Sequence, residues 1–205
     1  LPRRSELIRP ASANVDQAMI VFAVKNPKPN LGLLDRFLVM MRKQGIETVI
    51  VFNKTDLVPE EESAALACAY EGSGCRVIRA CVREGEGLEE IREILSGKTT
   101  VVAGPSGVGK SSMTNRLYPD AKMETGEISR KIKRGRQTTR HTELFALGGG
   151  TYIMDTPGFS SLFLTEMDPE ELKAYYPEFE PYFRQCRFAG CNHINEPDCA
   201  VKDAV

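Results

Sequence analysis

The chain is 205 residues long, with 41% hydrophobic and 27% charged residues and a formal net charge of −1. That is the composition of an ordinary globular protein with room for one sizeable core and an appendage. Near-neutral charge confines any nucleic-acid contact to a local patch, and no apolar run approaches the roughly 20 residues of a membrane span.

Short apolar runs alternate with helical patterns from the start. Met19–Val24, Thr48–Phe52, Arg76–Ala80, Thr100–Ala103, Glu143–Leu147 and Thr151–Met154 read as strands. Helical spacing falls at Leu33–Lys43, Glu60–Tyr70, Leu88–Leu95 and Lys110–Leu117. The alternation predicts an α/β fold, a mostly parallel sheet with helices on both faces. Gly148, Gly149 and Gly150 between the last two strands predict a hairpin, so one of them runs antiparallel. From Thr165 the character changes: Asp168 and Pro169 signal the start of a short helix, and a Cys/His cluster follows. There is no signal-peptide pattern, and a first residue of Leu1 reads as a piece of a longer chain.

Gly104-Pro105-Ser106-Gly107-Val108-Gly109-Lys110-Ser111 fits the G-x-x-x-x-G-K-[ST] phosphate loop, between a strand and a helical pattern as that loop requires. Glycines allow backbone N–H groups to wrap phosphates, and the helix N-terminus favours anions. Lys110 would reach the β- and γ-phosphates and Ser111 would ligate Mg²⁺, with Ser112 next in the same turn. The loop alone leaves GTPase, ATPase and nucleotide kinase open. Asn53-Lys54-Thr55-Asp56, after the strand Thr48–Phe52, resembles the N-K-x-D base loop of GTPases. Guanine offers N1–H and N2–H as adjacent donors, so the Asp56 carboxylate would accept both and reject adenine. Asn53 would hold the loop or donate to the base, and Lys54 would lay its stem along the ring. Asp155-Thr156-Pro157-Gly158 resembles the D-x-x-G switch, with Asp155 near Mg²⁺ and the Gly158 N–H near the γ-phosphate. A kinase has no use for both motifs. The base loop precedes the phosphate loop, reversing the ordinary order, but loops at strand carboxyl ends meet in one crevice whatever their order in the chain.

Cys186, Cys191, His193 and Cys199 supply three thiolates and an imidazole, a set suited to a closed structural Zn²⁺ site that stabilises a segment poor in apolar residues. Cys68, Cys75 and Cys81 read as reduced thiols of a cytoplasmic protein.

The rotated motif order followed by the Cys/His cluster resembles the bacterial small-ribosomal-subunit biogenesis GTPases, the RsgA or YjeQ family. Arg9-Pro10, Asn14–Gln17, Leu34–Leu38 and Asp155–Ser161 extend the resemblance over nearly the whole chain. It implies a circularly permuted P-loop GTPase fold over residues 15–164, with residues 1–14 as linker or tail of a missing N-terminal OB-fold. It also implies a zinc-binding helical domain over residues 165–205, truncated at its end. The implied partners are GTP or GDP, Mg²⁺, and the small ribosomal subunit with its rRNA, for a cytoplasmic monomer that binds no membrane. It places the first switch at Arg134–Arg140, with Thr139 on Mg²⁺ (Thr138 as fallback), and the fifth GTPase loop at Cys81-Val82, touching guanine mainly through backbone N–H.

Catalysis of in-line attack by water rests on positioning. Phe159 stands where many GTPases carry a water-orienting Gln, so slow intrinsic turnover is expected, raised on the ribosome. Gln137 or His141 is the candidate substitute, which makes Lys110, Gln137 and Thr139 the predicted catalytic set. Arg130, Lys131, Lys133, Arg134, Arg136 and Arg140 form the densest basic stretch, an rRNA contact or a solvated loop. The rival functions are a nucleotide kinase, a non-catalytic RNA-binding module and a GTPase with another RNA target.

Overall fold

The computed structural model describes residues 14–119, 143–155 and 167–204. Among the described residues, six strands form one sheet in the order β3-β2-β1-β4-β6-β5. These are β1 Gln17–Ala23, β2 Glu47–Asn53, β3 Arg76–Ala80, β4 Thr99–Ala103, β5 Glu143–Gly148 and β6 Thr151–Asp155. All neighbouring pairs are parallel except β5 with β6, which is antiparallel as the glycine hairpin predicts.

The helices are α1 Leu31–Lys43, α2 Glu60–Cys68, α3 Leu88–Leu95, α4 Lys110–Leu117, α5 Pro169–Leu172 and α6 Ala200–Asp203. Helix α1 starts where the Asn30 side chain accepts from the Leu33 N–H at 3.1 Å, satisfying one orphan donor of the first turn. It buries Leu33, Leu34 and Phe37 against Ile20, Phe22, Ile50 and Phe52 on one sheet face, with Leu66 and Ala67 of α2 beside them. Each such side chain contributes about 1.5–3 kcal/mol of burial. The alternate residues Met19, Val21, Val49, Val51 and Val102 face the other side. There Leu88, Ile91 and Leu95 of α3 and Met113 and Leu117 of α4 cover them.

Two boundaries differ from the sequence pattern for physical reasons. Strand β1 begins at Gln17, not Met19. The Gln17 amide is fully buried because it donates to Ile94 O and Thr100 Oγ1, each at 2.9 Å. Helix α2 stops at Cys68, not Tyr70, and Tyr70 turns inward to bond Asp35 at 2.8 Å and pack its ring 5.8 Å from Phe52.

The strand order reverses its direction of winding between β1 and β4. In an open parallel sheet the crevice at that point, beyond the strand carboxyl ends, is where ligands bind. The loops after β2, β3 and β4 all open there. Residues 167–204 join the core through the end of α1: Arg42 donates to Ser73 O at 2.5 Å and Tyr175 O at 3.3 Å, and Lys43 lies 3.6 Å from Glu171. Among the described residues, no helix is long and apolar enough to cross a membrane.

Candidate functional site

The phosphate-loop backbone is set by glycines that no other residue replaces without strain. Gly104 has φ +148°, and a Cβ there would lie 2.1 Å from Val21 O. Gly109 has φ +100°, and its Cβ would lie 2.5 Å from the Asn53 amide nitrogen. The second contact shows how tightly the loop after β2 seats on the loop after β4. Asn53 Nδ2 donates to Val108 O at 2.8 Å, and Lys54 Nζ donates to Gly107 O at 2.7 Å and also to Asn26 O. Asn53 Oδ1 accepts from the Lys54 N–H at 2.8 Å and the Val82 N–H at 3.2 Å. One buried amide thus locks three loops together. Thr55 adds a bond to Ala80 O at 3.3 Å.

Asp56 faces Cys81 and Arg83. The Cys81 thiol donates to Asp56 Oδ1 at 3.1 Å, and Arg83 Nη2 lies 3.2 Å from Asp56 Oδ2. Burial first, then the bond to Asp56, pushes the Cys81 thiol up, keeping it a donor. The resemblance places Cys81-Val82 at the guanine, mainly through backbone N–H. The Cys81 N–H is bonded to Glu86 O at 3.1 Å and the Val82 N–H to Asn53 Oδ1. The Cys81 thiol and the Val82 side chain are what this loop turns toward the site. Asn53, Lys54, Asp56, Val82, Gly109 and Ser112 line a cavity of about 490 Å³, with Arg83 and Arg116.

Lys110, at the start of α4, holds its ammonium between Gly104 O at 2.8 Å and Pro105 O at 2.9 Å. Burial pulls its pKa below the usual lysine range, and the charge of Asp155 opposes that shift. Asp155 ends β6 beside Val102 of β4, so it approaches the phosphate loop from the neighbouring strand. Ser111 follows Lys110 in the first turn of α4. Gly158, Gln137, Thr138, Thr139, His141, Phe159 and the basic stretch from Arg130 to Arg140 lie outside the described residues.

The four predicted zinc ligands converge. Their donor atoms all lie within 4.8 Å of one another. Cys186 Sγ is 3.6 Å from His193 Nδ1 and 3.9 Å from Cys199 Sγ, and His193 Nδ1 is 3.3 Å from Cys199 Sγ. A tetrahedral Zn²⁺ with bonds of about 2.0 Å to N and 2.3 Å to S needs separations of roughly 3.5 Å for N···S and roughly 3.8 Å for S···S, so the set fits. The His193 ring packs on Phe183 at 5.9 Å and edge-on to Phe179 at 5.6 Å, which fixes its plane.

Glu196, which the sequence pattern does not single out, organises the turn carrying His193. Its carboxylate accepts from the N–H groups of Asn192 at 2.9 Å, Ile194 at 3.0 Å and Asn195 at 3.1 Å. Those bonds, Asn192 first, hold its pKa at about 2 against an ordinary 4.5. A depressed carboxylate stabilises the fold above its ordinary value and stops doing so as pH falls through the folded value. The thermal-stability advantage of wild type over Glu196→Gln is therefore expected to be full above pH 4.5 and to shrink as pH falls toward 2, read by calorimetry. A pH-independent difference would remove the carboxylate from this role.

The profile of the family described as RsgA GTPase matches residues 1–165. The chain belongs to the RsgA GTPase family. It is 54% identical over 205 residues to the small ribosomal subunit biogenesis GTPase RsgA of Agathobacter rectalis, covering 100% of this chain and 68% of that protein. The RsgA of Alkaliphilus metalliredigens is 50% identical over 204 residues, covering 100% of this chain and 70% of that protein. The crystal structure of YjeQ from Thermotoga maritima superposes with a TM-score of 0.73 at 37% identity, covering 100% of this chain and 69% of that one. YloQ, described as a circularly permuted GTPase, gives 0.68 at 36% identity, covering 94% of this chain and 61% of that one. The permuted GTPase fold expected from motif order is the fold this RsgA family member has, with the Cys₃His cluster in its C-terminal region.

Proposed function

We propose that this chain binds GTP in the cleft between Asn53–Asp56 and Gly104–Ser112, hydrolyses it to GDP and phosphate, and serves as an assembly factor of the small ribosomal subunit. The observation that carries the reading is the pair of bonds from Asn53 to Val108 O and from Lys54 to Gly107 O. They make the base loop and the phosphate loop two walls of one cleft. Asp56 accepts from guanine N1–H and N2–H, the Lys54 stem covers the ring, and the loop N–H groups surround the phosphates. Lys110 exchanges the Gly104 and Pro105 carbonyls for β- and γ-phosphate oxygens. Ser111, Asp155 and Thr139 would hold Mg²⁺, which would supply neutralisation of charge on the β- and γ-phosphates. Gly158 would contact the γ-phosphate, and on the subunit Gln137, with His141 as the alternative, would orient the attacking water that Phe159 cannot.

Residues 15–164 act as the GTPase domain and residues 165–205 as a zinc-binding domain held by Cys186, Cys191, His193 and Cys199, with residues 1–14 linking to a preceding domain. The relatives' names, which speak of small ribosomal subunit biogenesis, support the partner. The protein works in the cytoplasm as a monomer that contacts rRNA. Turnover is slow alone and raised by the subunit, since Phe159 cannot orient water. Phosphate release from GTP with and without small subunits tests this. Slow release that rises on adding subunits is expected; equal rates would remove the coupling, and no release in either case would remove hydrolysis.

A further inference from the structure

We propose that Arg83 competes with the guanine base for Asp56 and so sets the affinity of the cleft for nucleotide. The inference rests on the reading of Asp56 as the guanine acceptor. A guanidinium and the guanine edge present the same chemistry to a carboxylate, adjacent N–H donors in one plane. Arg83 Nη2 lies 3.2 Å from Asp56 Oδ2, while the Cys81 thiol engages Oδ1 at 3.1 Å. The oxygen that Arg83 engages is one of the two that guanine needs.

The loop aims Arg83 there. Cys81 and Glu86 bridge the turn, and the N–H groups of Glu84, Gly85 and Glu86 all bond Cys81 O at 3.1, 2.8 and 3.1 Å. Within that closed turn Arg83 has a second anion, Glu84 Oε1, at 3.1 Å. Glu84 gives the guanidinium a place to remain when guanine takes Asp56. The same Nη2 engages both carboxylates at once, so Glu84 keeps hold of the guanidinium when guanine takes Asp56. The Arg83 side chain is 73% exposed, so the contact is weak and screened, and its effect on apparent affinity is about two- to fivefold.

The signs are unusual enough to test. Removing a cation near a polyphosphate site should weaken an anionic ligand by simple electrostatics. Here Arg83→Ala is expected to bind fluorescent GDP about two- to fivefold more tightly, with the gain shrinking as salt rises. Glu84→Gln is expected to weaken GDP binding by a similar factor, and to have no effect in an Arg83→Ala background. Weaker or unchanged binding in Arg83→Ala overturns the proposal, as does a Glu84→Gln effect that persists without Arg83. A wild-type chain that does not bind GDP at all would instead overturn the reading of the cleft itself.

Discussion

Asp56→Asn is expected to lose guanine nucleotides and gain xanthine nucleotides. The carboxylate offers two acceptors to the two donors of guanine. An amide offers one acceptor and one donor, which suits the N1–H and C2 carbonyl of xanthine. A site built to pair buried polar groups rejects the mismatched partner strongly, because the mismatch leaves groups unpaired on both sides. We expect GDP affinity to fall by about a hundredfold or more and xanthosine diphosphate affinity to rise by a similar factor. Binding titrations with both nucleotides check this. The gain matters more than the loss, since a misfolded variant binds neither. Retention of GDP with no response to xanthosine diphosphate would remove Asp56 from base reading.

The second large effect lies at the Cys₃His cluster. The described residues from 167 onward bury little apolar surface of their own: Cys191, Cys199 and Val201 form their small core, with Phe179, Tyr182 and Cys186 against it. A structural Zn²⁺ contributes about 10–16 kcal/mol of apparent binding free energy in peptides of this kind, and that becomes folding free energy. Chelation, or Cys199→Ser, is expected to open this segment to proteolysis while the core over residues 17–119 stays protected and still binds GDP within a few-fold. Unchanged protection of the C-terminal segment after verified metal removal would contradict the reading.

The parts of the site that are legible in the sequence are those written in local backbone terms. Gly104 and Gly109 are required by positive φ and by atoms pressed against their α-carbons, so the demand of the fold shows directly in the spacing of the glycines. Asn53 ends β2 and Lys54 and Asp56 follow it, and the cleft needs only the rule that such strand ends meet. The glycine hairpin between β5 and β6 is equally readable. The parts that are not legible depend on side chains meeting across long sequence distances. Nothing in the motif announces that Arg83 reaches Asp56, or that Asn26 offers its carbonyl to Lys54. Gln17 reads as a polar strand boundary until its amide is seen bonded inside the sheet. Glu196 reads as a surface acid until three backbone N–H groups are found around it. A loop's position in the chain likewise carries no information on which of its donors are engaged within the protein, as the Cys81 N–H is with Glu86 O and the Val82 N–H with Asn53 Oδ1.

The most direct measurement is a displacement titration: fluorescent GDP bound to the intact chain with Mg²⁺, chased separately with GTP and ATP. Displacement by GTP at concentrations at least about a thousandfold below those at which ATP acts is the predicted result, from a carboxylate that accepts two donors adenine does not present together. Equal displacement by the two would mean that Asp56 does not read the base and that the two loops, though joined, do not form a guanine site.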